Sequence, residues 1–299
     1  MADDGVHPLF PYTNEDKLEI RRELGLKEST IEEDVDVIVD WLNKQTHLVD
    51  AIIDRDFIER MLIVAKGSLE KTKRRIDNYY KYRYLAPELI QNREKVLSDS
   101  QDLWTAYIQM SVPRLYKGNR VSLVRFTSPD SSLLSWDQFL INTFMLADIR
   151  MKYDYFLGDI WILDMKHTSF SHLLKLNPVT LQKADGLGLK IQSIHVVNAT
   201  SLLQHVISFL KPFTSQKILD RVMVHESLED LHQHVPKKYL PKDYGGEELE
   251  TIVFREVRTT KTKQFLINAS KMISNEKKRP NAEMDEEFLA GSFRKLDFD

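Results

Sequence analysis

GDIWILDM, residues 158–165, is the stretch on which the fold turns. Ile160, Trp161, Ile162 and Leu163 follow one another without a polar break. A strand with one wet face alternates apolar and polar side chains, whereas an unbroken apolar run suits a strand covered on both faces. The run extends over Phe156–Met165, and three similar β-branched, apolar runs flank it: Arg120–Phe126, Leu189–Val197 and Val222–His225. Helical patterns fall between them, at about Ser135–Tyr155, Leu173–Ala184 and Thr200–Asp220. This alternation predicts an α/β fold with a mostly parallel sheet and crossover helices.

The first third of the chain is helical in pattern. Thr30 and Glu33 have capping-box spacing ahead of Val35, Ile38, Val39 and Leu42, which share one face. Ser68–Leu85 is a second helix, stopped by Pro87, and its Lys and Arg residues read as a solvated face. A further helix is expected over about Glu248–Ser274, followed by a polar tail and a closing FLAGSFRKLDF that packs back on the body. The expected organisation is an all-helical N-terminal domain over 1–95, an α/β domain over 96–250, and a C-terminal helix and tail over 251–299.

Composition narrows the function. A formal net charge of −3 gives no global basic field to hold nucleic acid, so anion recognition must be local. With no cysteine, disulfides, thiolate metal sites and cysteine nucleophiles are excluded, which favours an intracellular setting. The acidic start MADDGVHPLFPYTNED is not expected to be a signal peptide, and no run of 18 apolar residues occurs, so a cytoplasmic home is expected. Only 10 glycines are present, with neither GxGxxG nor GxxxxGK[ST], and the turn after the 156–165 run has none, which speaks against a nucleotide-binding enzyme. No GxSxG elbow exists. Asp164 at the strand end is a candidate carboxylate without a visible partner, so a structural role is the better reading. His225, His232 and His234 cluster with acids between them, and a metal site is conceivable. His232 and His234 point apart on a helix, however, so surface or capping histidines are the better account. No enzyme signal survives.

The segment 201–222, SLLQHVISFLKPFTSQKILDRV, is the most informative for function. Val206, Phe209, Leu210 and Phe213 follow the i, i+3, i+4, i+7 spacing of one helical face, which Leu202 extends backwards. By periodicity alone this is an amphipathic helix packed on the sheet. Pro212 forces a stop or kink at Lys211, after which Thr214 or Ser215 can cap a short helix. Lys217 and Arg221, four apart, fall on one face of it.

These residues carry a resemblance. KPFTSQKILDRVMVH, preceded by IHVVNA and followed by LPKDYGGE, resembles the CRAL-TRIO lipid-binding and transfer family. The likeness extends back through GDIWILDM and NYYKYR, and forward to GSFRKLDFD, which is similar to insect-type members. It implies a helical N-terminal domain, then an α/β domain whose sheet floors an apolar cavity under a helical gate at about Asn198–Arg221. By position it implies gate residues Phe170, Leu174, Leu202, Val206, Phe209, Leu210 and Phe213, and a phosphoinositide site at Lys190, Lys217 and Arg221. Phe139, Asn142, Leu146, Ile160, Leu163 and Ile194 are candidate pocket liners, with plain core as the alternative.

The implied function is a non-enzymatic cytoplasmic carrier of a hydrophobic ligand such as alpha-tocopherol, a retinoid or an isoprenoid, with peripheral contact to anionic membranes. A phosphoinositide-reading sensor without net transfer, or an enzyme acting on a lipid, are the alternatives. Three departures stand out. Gln192 replaces a basic residue, the segment 178–190 is shorter than in tocopherol-binding members, and Lys166 replaces a small residue after the strand aspartate.

Overall fold

The computed structural model describes residues 7, 10–48, 53–91, 93, 94, 97, 106–175, 190–247 and 260–280. Five helices open the chain: α1 (Asn14–Glu23), α2 (Glu28–Asn43), α3 (Arg55–Val64), α4 (Leu69–Leu85) and α5 (Pro87–Ile90). Polar caps set their starts. Thr13 and Asp16 cap α1 reciprocally, Asp54 accepts from two amides of α3, and Ser68 accepts from Lys71 at the start of α4. The capping box expected at Thr30 is not used, because α2 begins earlier, with Lys27 at its cap and Thr30 inside the helix. The apolar stripe does face inward, through Ile31, Val35, Ile38 and Leu42, with Val39 at its half-buried edge.

The basic face of α4 is not wholly solvated. Arg75 and Arg83 are buried, because α4 is sandwiched rather than lying on the surface. Arg83 and Arg93 both donate to Asp148 of the helix α6 (Trp136–Tyr153), Arg93 at 2.5 Å, and the Tyr79 hydroxyl donates to the same carboxylate at 2.9 Å. A second tie runs from Arg21 of α1 to Glu59 of α3 (2.6 Å) and to the Tyr155 hydroxyl (3.0 Å), which itself donates to Glu59 at 2.7 Å. Charged hydrogen bonds therefore bolt the helical region onto α6 and the segment that follows it.

The sheet has the order β1-β2-β3-β4-β5: Tyr107–Tyr116, Asn119–Phe126, Asp159–Asp164, Ile191–Val197 and Val222–Val224. β1 and β2 are an antiparallel hairpin, and β2 through β5 are parallel. Lys117 and Gly118 form the two-residue hairpin loop, both with positive φ (49° and 66°), the backbone that matches strand twist. Further helices among the described residues are α7 (Phe170–Leu174), α8 (Leu202–Leu210), α9 (Gln216–Leu219), α10 (Leu228–His234) and α11 (Thr260–Ala269).

The two sheet faces are covered differently. One carries Val121, Leu123, Ile160, Ile162 and Val197 against Leu231, Val235, Leu240 and Tyr244. The other carries Trp161 against the α6 cluster, and Leu163, Ile194 and Val196 against α8. GDIWILDM is thus buried from both sides, as its unbroken apolar run requires. Under the sheet end near α6, Arg120, Arg150, Asp154 and Asp159 form a fully buried charge network, with Arg120 to Asp154 at 2.6 Å and Arg150 to Asp159 at 2.5 Å. Leu266 of α11 joins the α6 core. The sequence readings for 176–189, 248–259 and the tail after 280 lie outside the described residues.

Candidate functional site

The segment 198–221, where a gate is expected, starts at a pinned root and ends in a tight turn. At its start Asn198 takes a left-handed backbone (φ 51°), and its side chain donates to Asp164 at 2.8 Å. Asp164 also accepts from the Lys166 amide at 2.9 Å and from the Tyr244 hydroxyl at 2.7 Å. It therefore pins β3, the root of the segment and the Tyr244 turn together, and its role is structural. At the other end α8 stops at Leu210, and Lys211–Phe213 form a 3-10 turn around Pro212. Ser215 then takes the cap position of α9 without a side-chain cap bond.

The packed face of α8 shares Val206 with the expected stripe and is otherwise rotated from it. Leu203, Val206 and Ile207 lie on Met165, Val196, Leu163 and Ile194. The expected stripe through Leu202, Phe209 and Leu210 is only half-buried, and the Phe213 side chain lies outside the described residues. Leu203 is the one fully buried residue of the nine in α8. Beside it α7 leaves Phe170 54% and Leu174 71% exposed, with the Phe170 ring edge-on to His205 at 6.4 Å. α8 is thus shallowly seated and rimmed by exposed apolar side chains. Replacing Ile207 with Asp is expected to cost about 1–2 kcal/mol and to speed amide exchange across 202–210 at least tenfold, whereas Ser208→Asp on the exposed side leaves both unchanged.

The candidate pocket residues divide into three places. Leu163 and Ile194 lie under α8. Phe139, Asn142 and Leu146 belong to the interface between α6 and the sheet: Phe139 stacks edge-on to Tyr107 at 4.9 Å, and the Asn142 amide donates to the Tyr107 hydroxyl at 2.5 Å. Leu146 borders a void of only about 10 Å³ with Gln109, Ser122, Thr143 and Trp161, room for one water and no lipid. Ile160 lies on the opposite sheet face with Val121 and Leu231. That corrects its assignment as a liner, since residues three apart on a strand cannot share a face. Beneath 203–207 side chains meet in direct apolar contact, so the expected cavity is closed there among the described residues.

Lys190 and Lys66 line a cleft of about 350 Å³ together with Glu23, Leu24, Asn119, Leu157 and Gln192. Lys190 is buried. Burial, reinforced by the charges of Lys66, Arg75 and Arg221, lowers its ammonium to about 7. Arg221 donates to the Ile191 carbonyl. It lies beyond the end of α9, so the helical i, i+4 argument that placed it beside Lys217 does not apply; Lys217 is exposed on α9. The structure brings Lys190 and Arg221 together and adds Lys66 and Arg75 from the helical region. Those two went unseen because no spacing within one segment links them. Lys66 sits at a left-handed turn (φ 56°) after α3, held in that position by the α3–α4 corner.

The histidines also depart from expectation. His225 is buried, and its imidazole Nε2 meets His195 Nδ1 at 2.8 Å, with Asp230 at 3.1 Å on its other nitrogen. His232 bonds the Tyr244 carbonyl at 2.8 Å. The missing partner, His195, comes from β4 thirty residues upstream.

Helical ties, a mostly parallel five-stranded sheet and an apolar helix seated on one sheet face define an α/β architecture. Residues 116–246 match the CRAL/TRIO domain, and residues 27–99 match the Pinta-like UBA domain. The chain thus carries a CRAL/TRIO domain, whose family implies binding of a lipophilic ligand. It is 26% identical over 260 residues to the alpha-tocopherol transfer protein-like protein of Mus musculus, covering 82% of this chain and 74% of that one. It is 24% identical over 236 residues to Clavesin-1 of Xenopus laevis, covering 76% and 71%. A solved structure described as that of Sfh5 aligns with a TM-score of 0.37 and 12% identity over 79% of this chain and 88% of that one, too distant to carry an inference. No helix among the described residues is long and apolar enough to cross a membrane.

Proposed function

We propose that the protein carries a hydrophobic small molecule of the tocopherol, retinoid or isoprenoid kind in space that opens when α8 (202–210) lifts from the sheet, and delivers it to phosphoinositide-containing membranes from a cytoplasmic, peripheral position. The observation that supports this most is the shallow seating of α8 beside exposed Phe170 and Leu174. A guest exposing ~500 Å² of apolar surface gains on the order of 12 kcal/mol when buried, about what a bilayer also offers. A carrier must therefore close over its guest in water and open cheaply at a membrane. Lifting α8 exposes Leu203, Val206 and Ile207, which is unfavourable in water and nearly neutral at a bilayer interface. Anionic headgroups held by Lys66, Lys190 and Arg221 bind best where that surface is already docked, which couples release to location.

The test has two arms. Organic extraction and native mass spectrometry of the purified protein identify a captive lipid. Transfer of a fluorescent tocopherol from the loaded protein to vesicles containing 5 mol% phosphoinositide, a composition of order set by cytoplasmic-leaflet charge, measures delivery. Lys66→Ala with Arg221→Ala is expected to slow transfer about tenfold while leaving ligand affinity within twofold. Equal loss of affinity and rate, or of neither, overturns the coupling. Ligand binding without net transfer identifies a lipid sensor instead.

A further inference from the structure

We propose that His225, Asp230 and His234 form a binding site for a divalent transition-metal ion of the zinc class, with His195 as its supporting hydrogen-bond partner. The site is separate from α8 and the basic cleft. It joins the end of the edge strand β5 to α10. One ligating atom from each of the three side chains lies within 4.8 Å of the others, the spread that a single ion can draw together. Two imidazoles and a carboxylate are a donor set suited to zinc and its neighbours, and three protein ligands leave a position for water.

What distinguishes the cluster from a chance meeting of surface histidines is the support behind it. His225 is 4% exposed, and it is gripped from both ring nitrogens. A continuous chain runs from Asp230 through His225 and His195 to Ser193, with bonds of 3.1, 2.8 and 3.0 Å. Without an ion, each link is satisfied in one direction: Ser193 donates to His195 Nε2, His195 Nδ1 to His225 Nε2, and His225 Nδ1 to Asp230. An ion at His225 Nδ1 reverses the chain. His225 Nε2 then donates to His195 Nδ1, and His195 Nε2 donates to Ser193, so no buried group loses its partner. Metal-ligating imidazoles use their second nitrogen in this way, and the partner fixes ring orientation. His234 is exposed and Asp230 half-exposed, so the ion has a route in from solvent.

The experiment uses the full chain, stripped with a chelator and titrated with zinc sulfate alone by calorimetry, and with cobalt chloride alone by visible absorption. One zinc equivalent binding at micromolar affinity or tighter, with cobalt d–d bands, is the expected result. His234→Ala and Asp230→Asn, both solvent-facing changes, should each weaken binding at least tenfold with an unchanged circular dichroism spectrum. His195→Gln should weaken it about 10–100-fold through loss of the supporting bond. Absence of stoichiometric zinc binding, or binding that survives both His234→Ala and Asp230→Asn, overturns the proposal.

Discussion

Replacing Asp148 with Ala is expected to lower the free energy of unfolding by about 3–5 kcal/mol, measured by urea denaturation at neutral pH, a large share of the whole stability of a domain. Asp148 is 2% exposed and receives Arg83, Arg93 and the Tyr79 hydroxyl. Burial alone would raise its pKa, but the charges of Arg83 and Arg93 outweigh that and hold it below the usual carboxylate range. Removing the carboxylate leaves two buried guanidiniums without their counter-charge. The pair need not be worth much as a whole; breaking it is what is expensive. Its contribution is fully present above the unfolded carboxylate pKa and is lost as acid carries the pH down through the lower folded value. The Glu70–Lys73 pair at 2.8 Å is the control, since Glu70 is 82% exposed and Glu70→Ala should change stability by less than about 0.5 kcal/mol. Equal small effects at both positions would mean that α4 and α6 are held by apolar packing alone. Because α4 also carries Arg75, whose charge acts on Lys190, loosening this joint also alters the electrostatics of the basic cleft.

Local pattern carried the parts of the fold that local physics determines. The apolar run Ile160–Leu163 announced a strand covered on both sides, and Pro212 announced the end of α8. Position on a strand also contained more than was read from it: Ile160 and Leu163 differ by an odd number, so one of them had to leave the pocket. β1 escaped detection because YIQMSVPRLY contains Pro113, which argues against an ordinary strand. The chain tolerates it with a register shift between Ser111 and Leu115 at the sheet edge. The face of α8 was misjudged for a different reason. Its apolar residues form one arc broader than the contact, so only the position of the sheet decides that Leu203 and Ile207, rather than Leu202 and Phe209, turn inward. Arg75, Lys66 and His195 were beyond any pattern, since each acquires its role from a partner far away in sequence.

Lys190 carries the functional prediction with the largest effect, and its sign follows from the cleft. A lysine lowered to about 7 by burial and by Lys66, Arg75 and Arg221 is only about half charged at neutral pH. An anion entering the cleft restores that charge, so binding takes up a proton whenever the pH lies above the free-state value and below the bound-state one. Affinity for an inositol phosphate headgroup should therefore be flat below about pH 7 and fall as the pH rises to 9, by at most about tenfold per unit, the limit for one linked proton. Phosphate ionisation runs the other way and is nearly complete by pH 7.5, so it cannot produce the fall. Lys190→Arg stays charged and should keep its affinity across the range; Lys190→Met should lose about tenfold at pH 6.5 and show no fall. Without anion, the same depressed pKa means that the unfolded chain binds more protons between pH 7 and the ordinary lysine value near 10.4. Stability should then rise with pH across that window, and Lys190→Met should raise Tm by about 2–4 °C at pH 7, with the gain shrinking towards pH 10. A pH-independent headgroup affinity in the wild type, together with a lower Tm for Lys190→Met, would place Lys190 among structural lysines and leave delivery to Lys66 and Arg221.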